Sequence, residues 1–442
     1  MSLLDSGSRL FGTDGIRGPA PEVLTPEFAT ALARAAGEGR EGSVFIGRDT
    51  RRSGDLLAAA LTAGFTAAGL DVHDLGILPT AGVAHLAKEA RATFGVVVSA
   101  SHNPASDNGI KFFGGDGAKL SDKLEDEIEA RLRAGPPWAK PPAGPGIRVV
   151  DGTARARYVS WLAEQARFSH RGFEIAVDCA NGAAFQAAPE LFKGLGADVL
   201  VTCDAPNGTN INEGCGATNP TALAAVTDGR VGLCFDGDAD RLIAIDEDGI
   251  VANGDIIMAV IAGHLKQEGR LKDDKIVGTV MANLGFMKAM DREGIEVIAT
   301  AVGDRYVAEA MKEHGAVLGG EQSGHVIFSN ISRTGDGLLT AIQLLDVMAA
   351  TGSPLTELRL IMNEYPQVLR NVHVEKKDRL DMAEALWEGV DEAERELGDS
   401  GRILVRPSGT EPLVRVMVEA PEAHQAATIA DRLVELVRLE LS

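Results

Sequence analysis

The stretch "VVVSASHNPASDNGIKFF", residues 96–113, ends a run of β-branched residues in a loop rich in reactive side chains. Ser101 is followed at once by His102, and Lys111 lies ten residues on. A hydroxyl beside an imidazole and a cation suits group transfer, whereas a plain strand end also calls for polar turn residues. In "VGLCFDGDADR" an apolar strand runs into Asp236, Asp238 and Asp240. Alternate residues of an extended loop can turn three carboxylates to one point, and hard oxygen donors suit magnesium. The spacing of these three with Glu247 imitates a calcium-binding EF-hand, but Arg241 stands where its sharp turn needs glycine. In "LGGEQSGHVIF", Glu321, Ser323 and His325 offer a carboxylate, a hydroxyl and an imidazole, a mix that could grip sugar hydroxyls or an amine. "VRPSGTEP" sets Arg406, Ser408, Gly409 and Thr410 in a tight turn, which is a phosphate cradle without a Walker sequence, or an ordinary turn. Near the start, "FGTDGIRG" places Arg17 among glycines, where it could reach a phosphate. Each stretch is ambiguous alone. Together they make the parts of a phosphosugar phosphoryl-transfer enzyme.

The elements that must position these loops are legible as a repeat. An apolar strand, a polar or Gly turn, an Ala/Leu-rich helix, a glycine and a second strand recur three times. The copies are "VFIGRDTRRSGDLLAAALTAGFTAAGLDVHDLG", "FEIAVDCANGAAFQAAPELFKGLGADVLVT" and "KIVGTVMANLGFMKAMDREGIEVIAT". Gly69, Gly196 and Gly294 suit helix C-termini. The pattern predicts three related α/β domains with largely parallel pairing. The Pro/Gly-rich "AGPPWAKPPAGPG" closes the first. The expected boundaries are 1–145, 146–249, 250–364 and a smaller α+β domain at 365–442. In order, these domains carry the Ser101 loop, the Asp loop, the Glu321 loop and the Arg406 loop.

Composition narrows the function. The 442 residues hold 43 basic and 64 acidic side chains, a net charge of −21, with 45% hydrophobic residues. Such a chain repels nucleic acid and anionic membrane, so cations for an anionic substrate must be gathered locally. The four cysteines have no Cys-x-x-Cys spacing and read as free thiols of a reducing compartment. No apolar stretch reaches transmembrane length and the N-terminal residues lack the apolar core of a secretion signal. The expectation is a cytoplasmic protein that binds neither nucleic acid nor membrane.

"SASHNP", "DGDADR", "GEQSGH" and "RPSGTEP", in this order, resemble the four signature loops of the α-D-phosphohexomutase superfamily. The resemblance runs from about residue 9 to the C-terminus. It implies four domains, three α/β with mixed sheets and a smaller α+β one, around a central active-site cleft. Its enzymes move phosphate between the 6- and 1-positions of a hexose through a phosphoserine. Carried over, Ser101 is the phosphoserine and, with Asp236, Asp238 and Asp240, binds Mg²⁺. Glu321, Ser323, His325 and Arg305 fall on substrate-binding positions, and Arg406, Ser408, Gly409 and Thr410 on the phosphate-binding loop. Arg17, His102, Lys111 and Arg241 match catalytic cationic positions. Ala239 stands where many members carry glycine, a change that should not alter ligation. "FGTDGIRG", "PNGTNINEGCGATNP" and Gln322 are most similar to members acting on glucosamine phosphate. The implied activator is glucosamine 1,6-bisphosphate or glucose 1,6-bisphosphate, and a homodimer is a candidate assembly. A phosphomannomutase/phosphoglucomutase of the same superfamily is the nearest alternative. A phosphatase with Asp236 as nucleophile, or a sugar-binding protein, would leave "SASHNP" and "RPSGTEP" unexplained.

Overall fold

The computed structural model describes residues 9–141, 144–408 and 412–441. Its contacts divide the chain into two units, Met1–Met281 with Ile295–Leu360, and Ala282–Gly294 with Ile361–Ser442.

The larger unit holds three mixed sheets. The first contains β1 (Ile16–Pro19), β2 (Ser43–Arg48), β3 (Asp71–Ile77), β4 (Phe94–Val98), β5 (Asp107–Gly114) and β6 (Arg148–Val150). The second contains β7 (Glu174–Asp178), β8 (Asp198–Thr202), β9 (Val231–Phe235), β10 (Leu242–Ile245) and β11 (Val251–Ala252). The third contains β12 (Lys275–Thr279), β13 (Glu296–Thr300), β14 (Leu318–Gly320) and β15 (Val326–Phe328). The parallel cores have one order, β4-β2-β3, β9-β7-β8 and β14-β12-β13. In each, the third strand of the repeat turns back into an antiparallel partner: β4 into β5, β9 into β10 and β14 into β15. Those hairpins carry "SASHNP", "DGDADR" and "GEQSGH" respectively. The repeat seen in the sequence therefore extends through the candidate loops, which occupy equivalent places in three copies of one topology.

The smaller unit is built on β16 (Gln367–His373), β17 (Arg402–Pro407) and β18 (Leu413–Glu419), all antiparallel. Helices Glu384–Leu397 and Ala423–Leu441 pack on it through Leu386, Val390, Leu433 and Val437. The β17–β18 connection is "RPSGTEP", of which Gly409 and Thr410 lie outside the described residues.

Local chemistry sets the element ends as the sequence suggests. Gly69, Gly196 and Gly294 take positive φ of 97°, 96° and 67°, the left-handed geometry that ends a helix without a Cβ clash. Asn253, Asn283 and Asp336 cap helices by accepting from backbone N–H groups of the first turn. Two features differ from the sequence reading. The stretch after "FGTDG", to which the sequence reading assigned no element, is strand β1, paired antiparallel with β5 so that Arg17 faces Gly109 in register. Helix Leu284–Arg292, which belongs in sequence to the third repeat, groups with the C-terminal unit, tied there by Asn283 Nδ2 to the Tyr365 carbonyl at 2.9 Å. Hydrophobic periodicity reports which face of a helix is buried, not against which neighbour.

The Asp336 cap also accepts from the Tyr158 hydroxyl at 2.8 Å, and both side chains are fully buried. Tyr158→Phe removes the donor and leaves the carboxylate oxygen unsatisfied, at a cost of about 1–3 kcal/mol. Chemical denaturation should show a lowered midpoint, and an unchanged one would mean that the hydroxyl contributes nothing.

Candidate active site

Ser101 follows β4 by three residues, is buried, and takes a left-handed φ of 51°. Its backbone is fixed from every side. The amide donates to Ser99 Oγ at 2.9 Å, and Ser99 donates to Asp49 Oδ2 at 2.5 Å. Arg51 spreads its guanidinium beneath the loop. It donates to the carbonyls of Ser101, Asn103 and Asp107 at 2.9, 2.8 and 2.9 Å and to that of Pro104, while its Nε meets Asp49 at 2.9 Å. Asn212 Nδ2 also donates to the Ser101 carbonyl, at 2.9 Å. A non-Gly φ in this region costs on the order of 1–3 kcal/mol and persists only where the surroundings over-determine it. These contacts do so.

The β9–β10 loop is brought against the same hydroxyl. Gly237 makes the approach possible: a Cβ there would lie 2.4 Å from the Ser101 carbonyl oxygen. Ser101 Oγ donates to Asp236 Oδ2 at 2.5 Å. Oγ has one proton, so His102 Nδ1, 3.2 Å away, is the donor in that contact. Burial, then Arg241 and Arg17, lower His102 to about 4, and its imidazole is neutral at physiological pH. Asp236, Asp238 and Asp240 each direct a carboxylate oxygen into one cluster, these atoms lying within 4.8 Å of one another. Burial, with Asp240 and Asp238, pushes the Asp236 carboxyl well above the ordinary range. Asp238 Oδ1 and Asp240 Oδ1 are buried without a hydrogen-bond partner. Orphaned oxygens and mutual repulsion are what a hard divalent cation would relieve, and the donor set fits one.

Lys111 projects into this cluster from β5 and is 2% exposed. Its Nζ lies 2.8 Å from Asp238 Oδ2, 3.6 Å from Asp240 Oδ2 and 2.7 Å from Asp14 Oδ2. Burial opposes its charge, but Asp14, Asp238 and Asp240 outweigh that and hold it firmly protonated. Asp14 is a hub, since it also pairs with Arg17 and, at 2.6 Å, with Lys119. Lys119 in turn pairs with Asp304. Arg241 Nε lies 3.8 Å from Asp240 Oδ1, and its amide donates to Asp236 Oδ1 at 3.2 Å.

The β14–β15 loop reaches the cluster through His325. Gly335 N lies 3.2 Å from its Nε2, and its Nδ1 faces Asp240 Oδ2 at 3.6 Å. Burial opposes its charge, but Asp240 and Asp304 outweigh that and raise its pKa to about 9. Glu321 accepts from the Gly303 amide at 3.1 Å, and Ser323 is half-buried in the same turn. The structure therefore gathers Ser101, His102, Lys111, Arg17, Arg241, the three aspartates and His325. Arg305 lines a cavity with His325 and Lys119, and its guanidinium is engaged by Asp122 and, at 2.5 Å, by Glu125 of helix Asp122–Ala134. In the smaller unit, Arg406 stands opposite Arg415 in the β17–β18 ladder, and burial together with Arg415 lowers its pKa. Paired like charges of this kind favour an anion between them. Ser408 donates its amide to the Leu413 carbonyl at 2.9 Å.

Sequence reading missed Asp14, Lys119, Asp49 and Arg51. Asp14 was available inside "FGTDGIRG", and "RDTRR", which begins at the last residue of β2, offered Asp49 and either of Arg51 and Arg52. Arg51→Lys should keep a cation beside Asp49 but lose the fan of donors to four carbonyls. Displacement of Ser101 by an ångström is enough to cost on the order of a hundredfold in turnover. Steady-state assays with circular dichroism as a fold control check this, and wild-type turnover would show that the loop holds itself.

Models of the phosphoglucomutase/phosphomannomutase family match the chain in order: domain I at 8–136, domain II at 156–249, domain III at 253–365 and the C-terminal domain at 369–436. A phosphoglucosamine mutase of Bacillus subtilis is 50% identical over 98% of this chain and 99% of its own length. One from Geobacillus thermodenitrificans is 48% identical with the same coverage. Among solved structures, a phosphoglucomutase/phosphomannomutase family protein from Burkholderia thailandensis is similar with a TM-score of 0.81 and 24% identity, covering 100% of this chain and 98% of that one. An N-acetylphosphoglucosamine mutase from Aspergillus fumigatus, solved with GlcNAc-6P and magnesium, gives 0.72 at 18% identity, covering 99% and 97%. With all four domains matched in sequence and relatives near half identical from end to end, the chain belongs to the phosphoglucomutase/phosphomannomutase family.

Proposed function

We propose that the chain interconverts D-glucosamine 6-phosphate and D-glucosamine 1-phosphate through a phosphoserine at Ser101. The observation that carries the reading is the Ser101 hydroxyl, 2.5 Å from Asp236 in a buried cluster of three carboxylates. A hydroxyl placed there is suited to hold a phosphoryl group whose charge a cation neutralises. In the proposed cycle the Ser101 O–P bond breaks as the sugar O1–P bond forms, giving a 1,6-bisphosphate. The bisphosphate turns over, and its 6-phosphoryl returns to Ser101, freeing the 1-phosphate.

Asp236, Asp238 and Asp240, with a phosphoserine oxygen, would hold Mg²⁺, which when bound supplies charge neutralisation for the transferring oxygens. Lys111, Arg17 and Arg241 add fixed positive charge around the same oxygens. Glu321 offers a carboxylate to the 2-ammonium group, and Ser323 and His325 polar partners to sugar hydroxyls. Arg406 and Ser408, with Gly409 and Thr410, form the proposed anchor for the phosphate not being transferred. We assign Arg305 a supporting place in this reading, because Asp122 and Glu125 already engage it. Glucosamine 1,6-bisphosphate or glucose 1,6-bisphosphate would load Ser101. No single described helix is long and apolar enough to cross a membrane. The place proposed for the reaction is the cytoplasm, in amino-sugar nucleotide and cell-wall precursor synthesis. A homodimer is the assembly to test by sedimentation.

A coupled assay on glucosamine, glucose and mannose phosphates should give the highest kcat/KM for glucosamine. Glu321→Gln should lower it by about 10- to 100-fold for glucosamine phosphate, the value of one charge-assisted contact, and little for glucose phosphate. Equal loss on both sugars would remove Glu321 from amine recognition. Better wild-type turnover of glucose or mannose phosphate would make the chain a phosphomannomutase/phosphoglucomutase instead.

The site of phosphorylation has its own test. A serine phosphomonoester survives neutral hydroxylamine, whereas an aspartyl phosphate does not. Protein labelled by radioactive bisphosphate should keep its label in hydroxylamine, and Ser101→Ala should take up none. Loss of label from the wild type would shift the nucleophile to Asp236. Asp238→Asn should depress turnover far more than the denaturation midpoint, because it removes a donor from the cation and a partner from Lys111.

A further inference from the structure

The second sheet carries another cluster that the proposed reaction does not use. Two of the chain's four cysteines, Cys203 and Cys215, belong to it with Asp178, and the other two, Cys179 and Cys234, are neighbours of Asp178 in sequence and in the sheet. Cys179 follows Asp178, the last residue of β7, and Cys234 lies opposite Asp178 in the β7–β9 ladder. Cys203 comes just after β8, and Cys215 just before the turn Gly216–Thr218. A carboxylate oxygen of Asp178 and the Sγ atoms of Cys203 and Cys215 all lie within 4.8 Å of one another. The carboxylate is oriented by two backbone donors, Ala180 N–H and Gly216 N–H, each at 2.8 Å. Asp178 and Cys215 are buried, and the half-buried Cys203 gives the cluster a side open to solvent.

We propose that Asp178, Cys203 and Cys215 form a second cation site, selective for a thiophilic divalent ion of the zinc class. Two sulfur donors and one carboxylate match the preferences of such ions, whereas the all-oxygen triad at Asp236 suits magnesium. Three protein donors leave one position open on the solvent side at Cys203, so the ion is exchangeable. Binding displaces the two thiol protons, and the charge changes from one carboxylate to two thiolates and a carboxylate around a 2+ ion.

The site has a place in the architecture. Cys203 and Cys215 are the two ends of one loop, and the middle of that loop braces the Ser101 segment. Asn212 Nδ2 donates to the Ser101 carbonyl at 2.9 Å, and the Gly208 carbonyl accepts from Arg52 N–H at 2.9 Å. A cation held between the ends pins the loop at its base and so stiffens the support beneath Ser101.

The test uses the full chain, stripped with a chelator under reducing conditions and titrated with cadmium in excess magnesium. One equivalent should bind with thiolate-to-cadmium charge-transfer absorption and release two protons. Cys203→Ser and Cys203→Ala should each weaken binding at least tenfold with the circular dichroism spectrum unchanged, and Cys215→Ser should do the same. Asp236→Asn should keep both the absorption and the stoichiometry. The proposal fails if the band survives both Cys203 variants, or if the wild type binds cadmium without a charge-transfer band and Asp236→Asn loses that binding, since the ion would then sit at the triad. Tight cadmium binding with no rise in the denaturation midpoint would overturn the bracing role.

Discussion

Three buried carboxylates cannot all stand ionised within a few ångströms of one another unless positive charge is placed among them. That constraint organises the larger unit. Asp236, Asp238 and Asp240 converge at the end of β9, and the protein answers with Lys111 from β5, Arg241 from the same loop and a donor geometry suited to a cation. Lys111 is tolerated in a buried position only because Asp14 and the triad surround it. Asp14 is in turn held ionised, against its own burial, by Lys111, Lys119 and Arg17. Positive and negative groups alternate outward from the triad, each making the next one possible. The net charge of −21 is a property of the surface at large, while the site concentrates cations where an anionic group would sit.

The scaffold solves the positioning problem once and reuses the solution. A parallel core leads into an antiparallel return, and the return carries the candidate loop in each of the three sheets. The first two loops meet closely enough that Gly237 must lack a side chain. The third adds an imidazole that faces Asp240.

Much of this was legible in the residues. Ser101, His102, Lys111 and the aspartates announced themselves because scarce side chains stood at strand ends with purposeful spacing. The glycines at 69, 196 and 294 marked helix ends because only a positive φ explains their recurrence. What stayed hidden was partnership across the chain. Arg51 is fifty residues from Ser101, and nothing local distinguishes it from Arg52, whose side chain was an equal candidate. Arg305 matched a substrate position by resemblance, yet its nearest carboxylates come from a helix about 180 residues earlier. Strand β1 was invisible because four residues with two small or cyclic members carry no periodicity, and its existence depends on the edge that β5 presents. Gly409 and Thr410 lie outside the described residues, so their part in the phosphate cradle rests on the sequence alone.

The hairpin origin of the three loops has a consequence for how such a protein can vary. Both ends of each loop are clamped by a hydrogen-bonded ladder, so a change of length or composition at the tip leaves strand register untouched. On the proposed reading, the loop assigned to the sugar can be rewritten while the loops assigned to phosphate and cation stay as they are. Substrate range and chemical step are thus separable design variables, written on different copies of the same structural sentence.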